Sequence, residues 1–389
     1  MSFQKFTVGI KPKQRGFIMR IICNTNALTD ACLNVGRCIP NKAVMPHLEG
    51  ILISTISENK IELCGYDLEL GITTQINVKV ERGGSIVVNA KMFCDMLRKI
   101  PNDTLVIDCD EKNKVTISSG DTEYSLISLN PTEYPEIPEV TDSIPFNISQ
   151  VVLREAVKRT VFAVSTDDTK AAHRGIKFTL SPGEMKLVAL DGFRLAIRSE
   201  FANYEGDTKE FVVPAKTMNE VIKLIDDEDG FVKMSIASKH IVFEIKGYNI
   251  ISRLLEGEFL DYRTAIPATI TTEVKINLKN LIDTIERTSV VITEKQRSPI
   301  RMMINEDGII KVSSITALGT SEDKTEAFVT GKRLEIGFNS RYILDSLRNI
   351  EDEEAVMCFN GPFAPMVIKP TDYSDKYMYL VLPVRIRND

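Results

Sequence analysis

The chain has 389 residues, 43% of them apolar and 26% charged, and its formal net charge is −6. One hydrophobic core does not serve that length, so two or three domains are expected, and no apolar run approaches the roughly 20 residues that span a bilayer. Seven cysteines without a C-x-x-C pair read as buried, reduced thiols of a cytoplasmic protein, and neither a disulfide framework nor a zinc site is expected.

Residues 1–18 carry Lys5, Lys11, Lys13 and Arg15 but no acid. They lack the apolar stretch of a signal peptide and read as a disordered extension. At Met19 the text changes: MRIICN is a short strand, and 25–37 a helix. KIELCGYDLELGITTQINVKV then alternates with the period of a sheet that buries one face. A second helix over 89–100 precedes three more strands, TLVIDCD, KVTISS and EYSLISL. Proline-bearing joints, YPEIPEVTDSIPF and DYRTAIPATITT, mark boundaries. Further helices are expected over 149–162, 214–225, 277–290 and 339–350.

An internal period organises these elements. VVNAKMFCDMLRKI at 87–100 returns as VVPAKTMNEVIKLI at 212–225 and as GFNSRYILDSLRNI at 337–350, an interval of 125 each time. GILIS at Gly50, GIKFT at Gly175 and IRMMI at Ile300 keep the same spacing. Repeats of this length are complete domains, not solenoid units. Domains are expected over 19–142, 143–269 and 270–389. The fold class is α+β, each repeat packing two helices on two small antiparallel sheets.

In the three matched helices, Phe93, Met96, Leu97 and Ile100, then Met218, Val221, Ile222 and Ile225, then Ile343, Leu347 and Ile350 form the inward stripes. The opposite faces read Lys91, Asp95, Arg98; Lys216, Glu220, Lys223; and Arg341, Asp345, Arg348. Basic, acidic and basic at i, i+4 and i+7 share one face. For one helix a solvated surface explains this; threefold recurrence points to a common partner. The six helix windows together carry +6 in a chain of −6, a directional field that favours a polyanion bound without sequence preference. Candidate contacts are Lys91, Arg98, Lys99, Arg154, Lys158, Arg159, Lys216, Lys223, Arg341 and Arg348. Packed helices sit about 8–10 Å apart, so a circle of six leaves a hole about one helix wide, whereas twelve leave an opening of about 25 Å. A nucleic-acid duplex needs the larger ring, hence two chains related by twofold symmetry.

LVALDGFRLAIRS (187–199), EGEFLDYRTAIP (256–267), EIGFNSRYILDSL (335–347) and the terminal YLVLPVRI (379–386) together resemble the bacterial sliding clamp, the beta subunit of the replicative DNA polymerase holoenzyme. The resemblance implies three clamp domains per chain, a dimer closed into a six-domain ring around double-stranded DNA, and no catalysis or cofactor. It adds Lys42 and Lys170 as DNA-contacting loop residues. It implies that DNA polymerase, clamp loader and repair proteins dock by a short apolar peptide containing a glutamine. The pocket walls would be His173, Leu190, Gly192, Phe193, Arg194 and Leu195, then Leu260, Thr264 and Ala265, then Asn339, Tyr342, Phe363, Pro365, Leu380, Leu382, Pro383, Val384, Arg385 and Ile386. Arg194, Arg385 and Asn339 would hold peptide carbonyls or the glutamine. Arg387, Asn388 and Asp389 extend past the usual terminus, at the rim. At the subunit joint Tyr124 and Leu126 would meet Val290 and Val291, and Asp121 and Glu123 facing SEDKTE are not complementary.

Two rival readings are weaker. An enzyme lacks support, because the three histidines His47, His173 and His240 belong to no catalytic motif, and STDDTK at 165–170 reads as an acidic turn before a metal site. A protein-only ring scaffold would leave the repeated cationic faces without a role.

Overall fold

The computed structural model describes residues 18–167, 169–226, 228–293 and 298–386. The leader up to Phe17 and the terminal Arg387, Asn388 and Asp389 lie outside the described residues. Among the described residues are six α-helices: α1 Thr25–Val35, α2 Ala90–Leu97, α3 Gln150–Val161, α4 Ala215–Leu224, α5 Leu278–Ser289 and α6 Ser340–Arg348. Each follows a strand within one residue, and the sequence supplies the joint. Asn24, Asn89, Asn277 and Asn339 accept from the backbone N–H of Ala27, Met92, Asn280 and Arg341. Each thereby satisfies a donor that a helix start leaves bare.

The apolar stripes face inward much as their spacing predicts. Phe93, Leu97 and Ile100 are buried, as are Met218, Val221 and Ile225, and Ile343, Leu347 and Ile350. Met96 and Ile222 are only half-buried. Helix α1 packs on α2, and α5 on α6.

The chain divides into two compact units. One runs to Val151 and adds Lys216–Leu254; the other comprises Val152–Ala215 and Leu255 onward. In the first unit a five-stranded sheet has the order Lys79–Arg82, Met19–Asn24, Thr104–Cys109, Lys114–Ser119, Thr122–Ile127. An eight-stranded sheet runs Ile144–Ser149, Phe231–Ile236, His240–Ile245, Tyr248–Arg253, Leu70–Asn77, Lys60–Tyr66, Gly50–Ser57, Ser85–Asn89. The second unit holds a nine-stranded sheet, Lys209–Pro214, Gly175–Ser181, Glu184–Leu190, Arg194–Phe201, Tyr377–Val381, Met366–Lys369, Glu354–Phe359, Thr272–Asn277, Phe328–Gly331. Its four-stranded sheet is ordered Gly319–Glu326, Ile309–Thr316, Ile300–Ile304, Leu334–Phe338.

Two of the expected small sheets are therefore fused pairs. Strand Tyr248–Arg253 takes Leu70–Asn77 as an antiparallel neighbour, with Ile250 opposite Ile72. Strand Arg194–Phe201 takes Tyr377–Val381, with Leu195 opposite Leu380. Pairing removes edges that would otherwise expose bare N–H and C=O groups. The middle repeat is consequently divided between the two units. All seven cysteines are buried and unpaired, and burial pushes the Cys23 and Cys38 thiols up to about 12, so they remain protonated and unreactive.

Candidate functional site

The turn after strand Glu184–Leu190 builds one wall. The Asp191 carboxylate accepts from the N–H of Phe193 at 2.8 Å and of Arg194 at 3.0 Å. Gly192 sits at φ +90°, a region where a side chain would be strained. The turn leaves the Phe193 ring 57% exposed. Beside it, Leu382 N–H donates to Phe193 C=O at 2.8 Å, which extends the ladder by one residue. Pro383, without an N–H, cannot continue it. The tail then turns, and Val384 N–H donates to Gly337 C=O at 2.8 Å. A Cβ on Gly337 would lie 2.7 Å from the Val384 oxygen and 2.8 Å from Ile386 Cγ1. Glycine is what lets the tail pass.

Beneath this surface Leu190, Leu195 and Leu380 are buried together with Val188, Ile197 and Val367. They form a floor, not an exposed contact. Phe259, Tyr262, Ile266 and Leu382 pack over it half-buried. Leu260, Thr264 and Ala265 are exposed beside and on the 3₁₀ turn Tyr262–Ala265. Pro365 is half-buried just before Met366, which pairs with Val381. Phe363, Val384 and Arg385 are exposed, while Asn339, Tyr342, Pro383 and Ile386 are half-buried. His173 is buried edge-on to Phe259 at 5.5 Å between centroids. Burial first, and Lys170 second, lower its pKa from the ordinary value of 6.5, leaving it neutral near pH 7.

Arg194 and Asn339 are already occupied. Asn339 caps α6 through its Oδ1. The Arg194 guanidinium donates to Asp191 at 3.0 Å and to Asp345 of α6, and it lies over the Tyr342 ring at 4.7 Å. Sequence spacing placed Asp345 on the cationic stripe; its partner is in the cleft wall.

The three stripes thus differ in use. Asp95 pairs with Arg98 at 3.2 Å and Glu220 with Lys223 at 2.8 Å, both within their helices. Lys216 reaches Asp67, and Arg348 reaches Glu286 of α5 at 2.5 Å. Lys42, Lys91, Arg98, Lys99, Lys158, Lys170, Lys216, Lys223, Arg341 and Arg348 are exposed. Arg154 and Arg159 are largely buried and held by Glu155, and Arg159 also by Glu351 at 3.1 Å. The Asp167 carboxylate accepts from Thr169 N–H, an ordinary turn; Asp168 lies outside the described residues.

Two strand edges have no further partner among the described residues: Thr122–Ile127 in the first unit and Gly319–Glu326 in the second. Along the former, Leu126 is buried and Tyr124 half-buried, whereas Ile127 is 71% exposed. Near the latter, Val290, Ile315 and Leu318 are all exposed, and Val291 is half-buried with its C=O accepting from Thr316. Ile127, Ile315 and Leu318 were missing from the sequence reading. Period two puts Ile127 on the face opposite Leu126, which was the available signal.

Three family models cover the chain in order: DNA polymerase III beta subunit N-terminal domain over 19–138, central domain over 147–261 and C-terminal domain over 263–385. A beta sliding clamp of Staphylococcus epidermidis is 30% identical over 358 residues, covering 90% of this chain and 94% of that one. One from Halalkalibacterium halodurans is 29% identical, covering 94% of this chain and all of that one. The solved DNA polymerase sliding clamp of Bacillus subtilis superposes with a TM-score of 0.92 at 27% identity, covering 95% of this chain and 100% of that one.

Proposed function

This chain belongs to the bacterial sliding-clamp family, the DNA polymerase III beta subunits, and from that premise we propose that two copies close into a ring around duplex DNA. On this reading the ring catalyses nothing. It keeps polymerase, clamp loader and repair proteins at the template by confining them to a body that slides.

The observation that carries the reading is the pattern of sheet edges. Strand Tyr248–Arg253 of the middle repeat takes an edge of the first repeat, and Tyr377–Val381 of the third takes an edge of the middle one. The corresponding strand of the first repeat is Thr122–Ile127, and the corresponding acceptor of the third is Gly319–Glu326, both unpaired in the chain. A second copy supplies each edge with its partner by the same joint, and twofold symmetry makes the closure exact in number: two chains, six domains. Tyr124, Ile127, Val290, Val291, Ile315 and Leu318 would then lose their exposure together.

The exposed cations of the helices, with Lys42 and Lys170 on loops, would meet phosphates without reading bases. The apolar cleft around Phe193, Tyr342 and Leu382 would take the glutamine-containing peptide of each partner. In the same family, a clamp from Pseudomonas aeruginosa has been solved bound to griselimycin. Retention on DNA tests the ring. The protein should stay on a nicked circle through a salt wash and leave when the circle is linearised, because topology holds it. Equal loss from both templates indicates an ordinary phosphate binder. Charge reversal at Lys91, Arg98, Lys216 and Lys223 that leaves circle retention unchanged would favour a ring of proteins alone.

A further inference from the structure

Arg194 is the most constrained cation of the cleft. Its side chain is 12% exposed, and it donates from Nε to Asp191 and from Nη1 to Asp345. Phe162 lies 5.4 Å from the guanidinium and Tyr342 lies 4.7 Å from it. Tyr342 in turn stacks with Phe193, 5.8 Å between centroids and 21° between planes. The order is carboxylate, guanidinium, ring, ring, with the last ring facing solvent. Removing one carboxylate frees one arm of the fork and leaves the ring beneath Phe193 on a mobile support.

Asp345 is what distinguishes α6 from its repeats. The equivalent acids Asp95 and Glu220 bind cations on their own helices, whereas Asp345 leaves its helix for the cleft wall. Its side chain is 38% exposed, so it is reachable by solvent and by whatever enters the cleft. With Asp191 and Asp345 both ionised around one guanidinium, the local charge is −1.

We propose that Asp345 is a positioning and specificity residue for the peptide cleft: by holding Arg194 against Tyr342 it presets the Phe193–Tyr342 face for an apolar anchor and rejects an acidic one. The inference rests on the peptide-tethering reading. A preset wall spares the ligand the cost of ordering it, and an unneutralised carboxylate at its back disfavours a second one. Asp345 acts through Arg194 and need not touch the peptide.

The test is a fluorescence-anisotropy titration of the full-length protein with a labelled peptide carrying a glutamine followed by leucine and phenylalanine, and with the same peptide ending in glutamate. Wild type, Asp345→Asn, Arg194→Lys, Arg194→Gln and the double variant Asp345→Asn/Arg194→Gln are compared, with thermal midpoint and solution mass as fold controls. Asp345→Asn should weaken the phenylalanine peptide roughly tenfold and narrow its advantage over the glutamate peptide. Arg194→Lys keeps the charge but loses the fork and should weaken it similarly. The double variant should be no worse than the poorer single one, because both substitutions break one arrangement. Asp345→Asn with wild-type affinity and selectivity overturns the proposal, as do losses that multiply in the double variant. If Asp345→Asn does not fold, Arg194→Lys with wild-type affinity and selectivity overturns it. Wild-type protein that binds neither peptide overturns the tethering reading instead.

Discussion

Replacing Glu351 by glutamine should loosen the second unit by a calculable amount. Glu351 accepts from three cations: Arg159 of α3 at 3.1 Å, Lys376 at 3.3 Å and Arg198 at 3.5 Å. Arg198 is 4% exposed and also holds Glu200 at 2.6 Å, so its charge is not abandoned when Glu351 is neutralised. The pairs to Arg159 and Lys376 are worth about 0.5 kcal/mol each at their exposure. Lost compensation for the buried guanidinium adds about 1 kcal/mol. The total of about 2 kcal/mol corresponds to a fall of roughly 4–8 °C in thermal midpoint. The pH dependence gives a second handle. Burial alone would raise the Glu351 pKa, but Arg198, Arg159 and Lys376 outweigh it and hold the carboxyl below its ordinary value of 4.5. A depressed carboxylate contributes stability that is present above the unfolded pKa and lost as pH falls through the folded one. Calorimetry of wild type and Glu351→Gln should therefore show a gap at pH 7 that closes in acid below that ordinary value. Equal midpoints at pH 7, or a gap that widens in acid, would refute the reasoning.

Three further outcomes follow. Gly337→Val should place a branched side chain against Val384 and Ile386, displace the terminal tail and speed hydrogen exchange at the Val384 amide; unchanged protection would mean the tail is not held there. Leu382→Ala with Phe193→Ala should abolish binding of the glutamine-containing peptide, seen as a loss of at least about 2 kcal/mol by titration calorimetry, while solution mass is unchanged. Ile127→Asp combined with Leu318→Asp should convert a dimer to monomer in sedimentation and remove retention on circular DNA, because each puts a charge on an exposed apolar position beside a free edge.

Much of the fold was legible because its signals are local. Strand ends followed by Asn and a helical stripe mark α1, α2, α5 and α6 within two residues, and the interval of 125 shows that α2, α4 and α6 are copies. The fused sheets were not legible. Ile72 and Ile250 alternate like any half-buried strand, and nothing in either run states that its neighbour is the other. The site was legible in the same uneven way. Phe193, Leu382 and Pro383 could be found as an apolar turn and an interrupted terminal strand. The commitment of Arg194 to Asp345, 151 positions away, could not, because period and charge pattern describe a helix face and say nothing of what crosses to meet it. Arg159 repeats the lesson: its helical position reads as solvent-facing, and two glutamates hold it.

The joints built into one chain share a backbone ladder but not its reinforcement. In the first unit the ladder from Tyr248 to Ser252 against Leu70 to Thr74 is flanked by Tyr248 with Asn34 at 2.9 Å and by Lys216 with Asp67. In the second the ladder from Arg194 to Arg198 is flanked by the Arg194–Asp345 and Arg198–Glu351 pairs. At the edge proposed to meet another copy, Arg287 already holds Asp323 at 2.6 Å, and the neighbouring exposed side chains are Val290, Ile315 and Leu318. Such an edge offers apolar area and a bare ladder, with its nearest charges satisfied at home. Apolar contact without a polar lock associates and separates with less specificity than the intrachain joints, and no covalent connection raises its effective concentration. A ring assembled from these parts has its weakest seams where two chains meet, so opening for DNA entry needs only one such seam to part while both reinforced joints stay intact.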